Sequence, residues 1–216
     1  MTPSWIIWDW NGTLLDDTEL CYTIANEMRI RRGLAALPDI DAYRSVMGFP
    51  IVDYYRRMGY TFENETYDDV SVEFVCMYIQ RCDTCKLHEG AVAVLEKLAA
   101  MGIRQTLLSA TGQDRLTEQV AQHGAILPFL TDVIGMPDNL AHGKAALADA
   151  FLKREGIDPA GVLFIGDTDH DYAVASSVGG RVLLLGNGHQ TPDKLLATGA
   201  PVLADIRNVP LYIAGL

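Results

Sequence analysis

A buried run that ends on a carboxylate is the feature that most constrains this chain. Trp5-Ile6-Ile7-Trp8 is a continuous apolar stretch of the kind that fills the middle of a sheet. Asp9 follows at once, and Asn11-Gly12 then turns the backbone. In an open parallel sheet, ligands sit just beyond the C-terminal ends of the strands. Asp9 therefore falls where a substrate would lie. A carboxylate there can hold a cation or attack phosphorus. The plainer alternative is an Asp that caps a following helix.

The rest of the chain divides in two. Beyond Asp17, apolar residues recur at helical spacing in Leu20, Ile24 and Met28, and again in Val70, Phe74, Met77 and Tyr78. Breaks fall at Gly33, Pro38, Gly48-Phe49-Pro50 and Gly59. This predicts several short helices and no strand. From Glu89 the pattern alternates. Helices are expected over 92–100, 114–122, 144–153 and 172–177, and strands over 103–108, 131–134, 162–165 and 181–185. Such alternation implies an α/β fold, a parallel Rossmann-like sheet with helices on both faces. The core is then 1–16 with 87–216, and 17–86 is an all-helical insertion. Trp8 and Trp10 flank Asp9 and are expected to pack on opposite faces of the strand.

Later strand ends carry polar residues of their own. Ser109-Ala110-Thr111-Gly112 offers a hydroxyl and free amides ahead of a helix, which suits an anion as well as an ordinary helix cap. Lys144 opens a helix, where its charge opposes the helix dipole. Gly166-Asp167-Thr168-Asp169-His170-Asp171 packs carboxylates that repel one another unless a cation is present. The net charge of −11 argues against nucleic acid or an anionic membrane as partner. For an anionic substrate, positive charge must be local, from a metal or one placed lysine. Asp9 interrupts the N-terminal apolar run and Arg29 is the first basic residue, so no signal peptide is expected. The four cysteines suit reduced thiols in a cytoplasmic protein.

Together these motifs resemble the haloacid dehalogenase superfamily, in its phosphoglycolate phosphatase-like branch with a helical (C1-type) cap. The resemblance rests on Asp9-Trp10-Asn11-Gly12-Thr13, Ser109, Lys144, and Gly166-Asp167 with Asp171, in that order. It implies that 17–86 is the cap, that Leu87-His88-Glu89-Gly90 is where the chain re-enters the core, and that Gly48-Phe49-Pro50 helps select substrate. It further implies a Mg²⁺-dependent phosphatase acting on a small phosphorylated metabolite through an aspartyl-phosphate on Asp9, as a monomer or homodimer. Mg²⁺ would sit on Asp9, the Asn11 carbonyl and Asp167, with Asp171 in support. Ser109, Ala110 and Lys144 would hold the phosphoryl group, and Thr13 would fix the Asp9 loop. Tyr43, Arg44, Gly48 and Phe49 are the expected substrate contacts in the cap.

Asn11 departs from the pattern. Phosphatases of this family usually carry Asp there, as proton donor to the leaving oxygen. A carboxamide hydrogen-bonds but does not shuttle a proton near neutral pH. Two alternatives follow: a phosphate-binding or regulatory protein with attenuated catalysis, and a phosphosugar mutase of the same fold. Cys82, Cys85 and His88 have some zinc-like spacing, though ordinary reduced thiols are the simpler reading. His170 is expected to be a solvated loop residue.

Overall fold

The computed structural model describes residues 2–137 and 143–216. Its core is a six-stranded sheet in the order β5-β4-β1-β6-β7-β8, all pairs parallel. The strands are β1 (Trp5–Trp8), β4 (Arg104–Gly112), β5 (Asp132–Met136), β6 (Val162–Gly166), β7 (Arg181–Leu185) and β8 (Val202–Leu203). β1 lies between β4 and β6 and is paired along its whole length, with Trp8 opposite Leu107 on one side and Ile165 on the other. A strand buried on both faces must be apolar throughout, and all four residues of β1 are buried.

The two faces of β1 feed separate cores. Ile6, Trp8 and Trp10 pack with Leu95, Leu98 and Leu116, while Trp5 and Ile7 pack with Phe151, Ala148 and Val174. Trp8 and Trp10 thus share one face, which corrects the expectation above. A spacing of two returns a side chain to the same side of a strand. Each indole N–H has a buried partner: Trp5 on Thr106 at 2.9 Å, Trp8 on Gln105 at 3.0 Å, and Trp10 on Gln119 at 3.0 Å. Those bonds offset the cost of burying a polar group. Full burial of each apolar side chain here stabilises by roughly 1.5–3 kcal/mol.

The core helices are α5 (Ala91–Ala100), α6 (Gln113–Gln122), α7 (Lys144–Glu155), α8 (Asp169–Val178), α9 (Pro192–Leu196) and α10 (Val209–Ala214). Between β1 and β4 the chain forms α1 (Thr18–Arg31), α2 (Ile40–Val46), α3 (Ile51–Arg57) and α4 (Tyr67–Ile79). These four helices have their own cluster, built on Ile24, Met28, Tyr54, Met58 and Val70. α4 begins at a reciprocal cap: the Asp69 N–H donates to Thr66 Oγ1 at 3.1 Å and the Thr66 N–H to Asp69 Oδ2 at 2.9 Å. Leaving and returning segments meet as an antiparallel pair, β2 (Leu15–Asp16) with β3 (Lys86–Leu87).

The sequence reading left out β2, β3, β8, α9 and α10. β2, β3 and β8 have two residues each, too short for any periodicity to register. β4 also runs past Leu108 to Gly112, because its pairing with β5 shifts register there and resumes at Gly112 opposite Met136. Among the described residues no helix is long and apolar enough to cross a membrane.

Candidate active site

Asp9 is the first residue beyond β1, and its N–H donates to the Ile165 carbonyl at 2.8 Å. That bond fixes the carboxylate beside the ends of β4 and β6. Its side chain is 14% exposed, and Lys144 Nζ donates to Oδ1 at 2.6 Å. Lys144 is the first residue of α7, where its own helix disfavours a cation. It is held there by two carboxylates, donating also to Asp171 Oδ1 at 2.5 Å. The lysine is itself buried, and the two carboxylates keep its ammonium charged despite that burial.

The loop after β6 supplies the second carboxylate, Asp167, which is fully buried. Thr13 Oγ1 donates to its Oδ1 at 2.9 Å, and the His189 N–H to its Oδ2 at 2.7 Å. Two glycines make room for it. A Cβ on Gly12 would stand 2.3 Å from Asp167 Oδ2, and one on Gly188 would stand 2.2 Å from it. Gly12 also has φ +72°, a left-handed conformation that disfavours side chains. Asp171 serves differently. Its Oδ2 accepts from the N–H groups of Asp167 and Thr168 at 3.2 and 3.1 Å and from Thr168 Oγ1 at 2.7 Å. It locks the loop onto α8 and gives its other oxygen to Lys144.

Oxygens of Asp9, Asp167 and Asp171 lie within 4.8 Å of one another. Burial and mutual repulsion push Asp9 up to about 7 and Asp167 up to about 6, the pull of Lys144 on Asp9 notwithstanding. Lys144 holds Asp171 below the usual carboxylate range, against the effect of its burial. One lysine does not balance these three carboxylates, and the nearby His189 is already paired with Asp17. The site carries excess negative charge that a cation would relieve.

Ser109 is buried on the opposite wall, its Oγ accepting from the Thr111 N–H at 3.1 Å. Asn11 is fixed on three sides. Its Nδ2 donates to Asp17 Oδ2 and to Tyr78 Oη, both at 2.8 Å, and its Oδ1 accepts from Thr111 Oγ1 at 2.9 Å. Asp17 is the hub of this network. It also accepts from the Gly12 N–H at 2.8 Å and from Tyr78 Oη at 2.6 Å, and it pairs with His189 Nε2 at 3.1 Å. Tyr43 Oη meets the other nitrogen of His189 at 3.0 Å. Sequence reasoning did not single out Asp17 or His189 and took Tyr78 only as part of an apolar stripe. For His189 a signal existed: Gly186-Asn187-Gly188 breaks the chain at the end of β7, as at the other strand ends.

Burial disfavours charge on His189, but the Asp17 carboxylate outweighs it and pushes the imidazole up to about 9. A histidine raised above its unfolded value of about 6.5 stabilises the fold fully below that pH, and the contribution is lost as pH rises through the folded value. Urea unfolding should therefore show stability falling between about pH 6.5 and 9. His189→Gln should flatten that slope. An equal slope in the variant would remove the pair as its source.

Asp9, Asn11, Ser109, Ala110, Lys144, Asp167 and Asp171 all line one cavity of about 620 Å³. Thr13 stands behind it, on Asp167. Of the expected cap contacts, Tyr43 and Phe49 line the cavity. Arg44 instead donates to the carbonyls of Gly188 and Asn187 at 2.9 and 3.0 Å, and Gly48 packs near Lys194 and Arg57. His170 is not simply solvated: Phe49 stacks on it at 4.4 Å between ring centres. His88 is committed to the Gly12 carbonyl at 3.1 Å and to Asn187 at 3.2 Å.

A carboxylate beyond a central strand, clamped by a lysine and flanked by a second carboxylate, is the equipment of a phosphatase-type hydrolase. The profile of the haloacid dehalogenase-like hydrolases matches residues 6–185, and the chain belongs to that family. A phosphoglycolate phosphatase from Rhodobacter capsulatus is 24% identical over 219 residues, covering 100% of this chain and 98% of that protein. An N-acetylmuramic acid 6-phosphate phosphatase from Pseudomonas putida is 25% identical, covering 93% and 91%. Among solved structures, a haloacid dehalogenase-like family hydrolase from Streptococcus pneumoniae superposes with a TM-score of 0.77 at 20% identity, covering 97% of this chain and 98% of that one.

Proposed function

We propose that this hydrolase is a Mg²⁺-dependent phosphatase that transfers the phosphoryl group of a small metabolite to Asp9. The observation that carries this reading is the Asp9 carboxylate, opening into the cavity with Lys144 Nζ at 2.6 Å. Lys144 occupies one oxygen and leaves the other for attack on phosphorus. A carboxylate nucleophile divides one hard displacement into two easier ones. Ser109 and the neighbouring amides, with Lys144, would hold the phosphoryl oxygens as charge develops.

The donor set suits a hard divalent cation. Asp9 and Asp167 offer carboxylate oxygens whose hold on a proton is raised by burial and by neighbouring carboxylates, and the Asn11 backbone would add a carbonyl. When bound, Mg²⁺ would neutralise charge on the phosphoryl group and on both carboxylates. Asp171, with both oxygens engaged by Lys144 and the Thr168 loop, would act by orienting these groups. Asp167→Asn should weaken Mg²⁺ binding by at least tenfold in calorimetry. Unchanged affinity would remove this assignment.

Residues 17–86 are proposed as a cap that closes over the strand ends. Support comes from Tyr43 on His189, Tyr78 on Asn11 and Phe49 on His170, which join the helical segment to the core beside Asp9. Closure would exclude water from the site.

The test is phosphate release from a panel of phosphorylated metabolites with Mg²⁺, beside Asp9→Asn. Turnover that Asp9→Asn abolishes supports the enzyme. A second reading, a phosphate-binding protein with attenuated catalysis, is favoured by the locked amide of Asn11. Tight phosphate binding without turnover would select it. The mutase reading needs the same missing acid and ranks below both.

A further inference from the structure

We infer that the leaving group of this phosphatase is an uncharged aromatic or otherwise bulky apolar moiety, and that small carboxylated phosphates are disfavoured. The inference rests on the phosphatase reading and names its substrate class.

The cap wall of the cavity carries the argument. It presents Phe49, Ile51, Tyr54, Tyr55, Phe74 and Val75, rings and aliphatic groups. Burial holds the Tyr54 and Tyr55 hydroxyls protonated, so they add hydrogen-bonding capacity without charge. At about 620 Å³ the cavity far exceeds what a two-carbon leaving group would fill. A small polar leaving group would leave these rings facing water, whereas an aromatic one would pack against them.

Cations point the same way. The cap segment has seven arginines and no lysine before Lys86. Arg31 and Arg32 pair with Glu73, Arg81 with Glu27, and Arg56 with Asp53. Arg29, Arg44 and Arg57 donate to backbone carbonyls. None of the seven lines the cavity. Besides Lys144, the cationic side chains that do so among the described residues belong to the core: Arg115 in the first turn of α6, with Glu118 at 3.9 Å, and His189, already paired with Asp17 at 3.1 Å. The cap would offer a substrate carboxylate no cation of its own, and a buried unpaired carboxylate is costly. Asn11 agrees independently: an aryl oxide leaves without the proton that a carboxamide does not supply.

Non-hydrolysable phosphonates test this without interference from leaving-group reactivity. Inhibition constants should be measured with Mg²⁺ for methylphosphonate, benzylphosphonate and 3-phosphonopropionate, with inorganic phosphate as reference. Benzylphosphonate should bind at least tenfold tighter than methylphosphonate, and 3-phosphonopropionate no tighter. Phe74→Leu should cut the benzyl preference severalfold. If phosphate binds but benzylphosphonate gains nothing over methylphosphonate, the inference is overturned and the phosphatase reading stands. If 3-phosphonopropionate binds tightest and Arg115→Gln abolishes that preference, a carboxylated substrate held by Arg115 replaces it. If neither phosphate nor any phosphonate binds, the phosphatase reading fails and this inference falls with it.

Discussion

Lys144→Met should abolish turnover and lower the melting temperature by roughly ten degrees. Lys144 is buried between Asp9 and Asp171, at 2.6 and 2.5 Å. Removing one partner of a buried ion pair costs about 3–5 kcal/mol, because the remaining charge is left unpaired. For a chain of this size each 1 kcal/mol is worth about 2–4 °C. The direction of the titration matters as much as the size. Asp9 already stands at about 7, because burial and repulsion exceed the pull of Lys144. Without the lysine it should move higher still, so the proposed nucleophile would be protonated and inert near neutral pH. Two further measurements separate the electrostatic account from simple loss of packing. Adding Asp171→Asn to Lys144→Met should return part of the stability and none of the activity, since it removes one of the orphaned carboxylates. Mg²⁺ should raise the melting temperature of Lys144→Met more than that of the unaltered chain, because the cation then offsets charge the lysine had balanced. If the double variant is no more stable than Lys144→Met, the cost lies in packing and not in charge.

What could be read from the sequence, and what could not, follows from how each residue gains its partner. Asp9, Ser109, Lys144 and Asp167 each stand beside a strand end or helix start that periodicity marks, so their convergence follows from the parallel topology alone. Lys144 was also flagged by its unfavourable place in the first turn of a helix. The Asp17–His189 pair spans 172 positions and joins the start of the helical segment to the loop after β7. Local pattern does not reveal such a contact. Tyr78 fits an apolar helical stripe by spacing, yet its hydroxyl is what reaches Asp17. Arg44 was expected to face substrate because of its place before the Gly48 loop. Its guanidinium is instead satisfied by the carbonyls of 187 and 188, which only the folded chain brings near.

Asn11→Asp alone should disappoint, and exchanging the two side chains, Asn11→Asp with Asp17→Asn, should raise alkyl phosphate hydrolysis by about 10²–10⁴-fold. The reason lies in the bond between them. Asn11 Nδ2 donates to Asp17 Oδ2 at 2.8 Å, with Asp17 buried and Asn11 half-buried. A carboxylate at 11 would face the Asp17 carboxylate at that distance. Like charges so close do not both ionise, so the pair would share a proton and one member would titrate far above its usual range. The single variant should therefore be less stable, with its new acid tied to Asp17. The exchange restores a donor opposite an acceptor. An amide at 17 keeps an oxygen for the Gly12 N–H and His189, and its nitrogen can donate to the new carboxylate and to Tyr78. Thr111 Oγ1 still finds an acceptor at 11. The new acid is then free to protonate an alkoxide leaving group and afterwards to activate water. Aryl and acyl phosphates leave as stable anions, so their first step should change little. In the unaltered chain, which has no base at 11 to activate water, the aspartyl-phosphate on Asp9 should persist long enough to trap by rapid quench. The exchange should shorten its lifetime. A folded double variant that hydrolyses no alkyl phosphate faster would show that the proton comes from elsewhere, and the cap hydroxyls that line the cavity and bond to Asn11 and His189, Tyr78 and Tyr43, would be the next to replace.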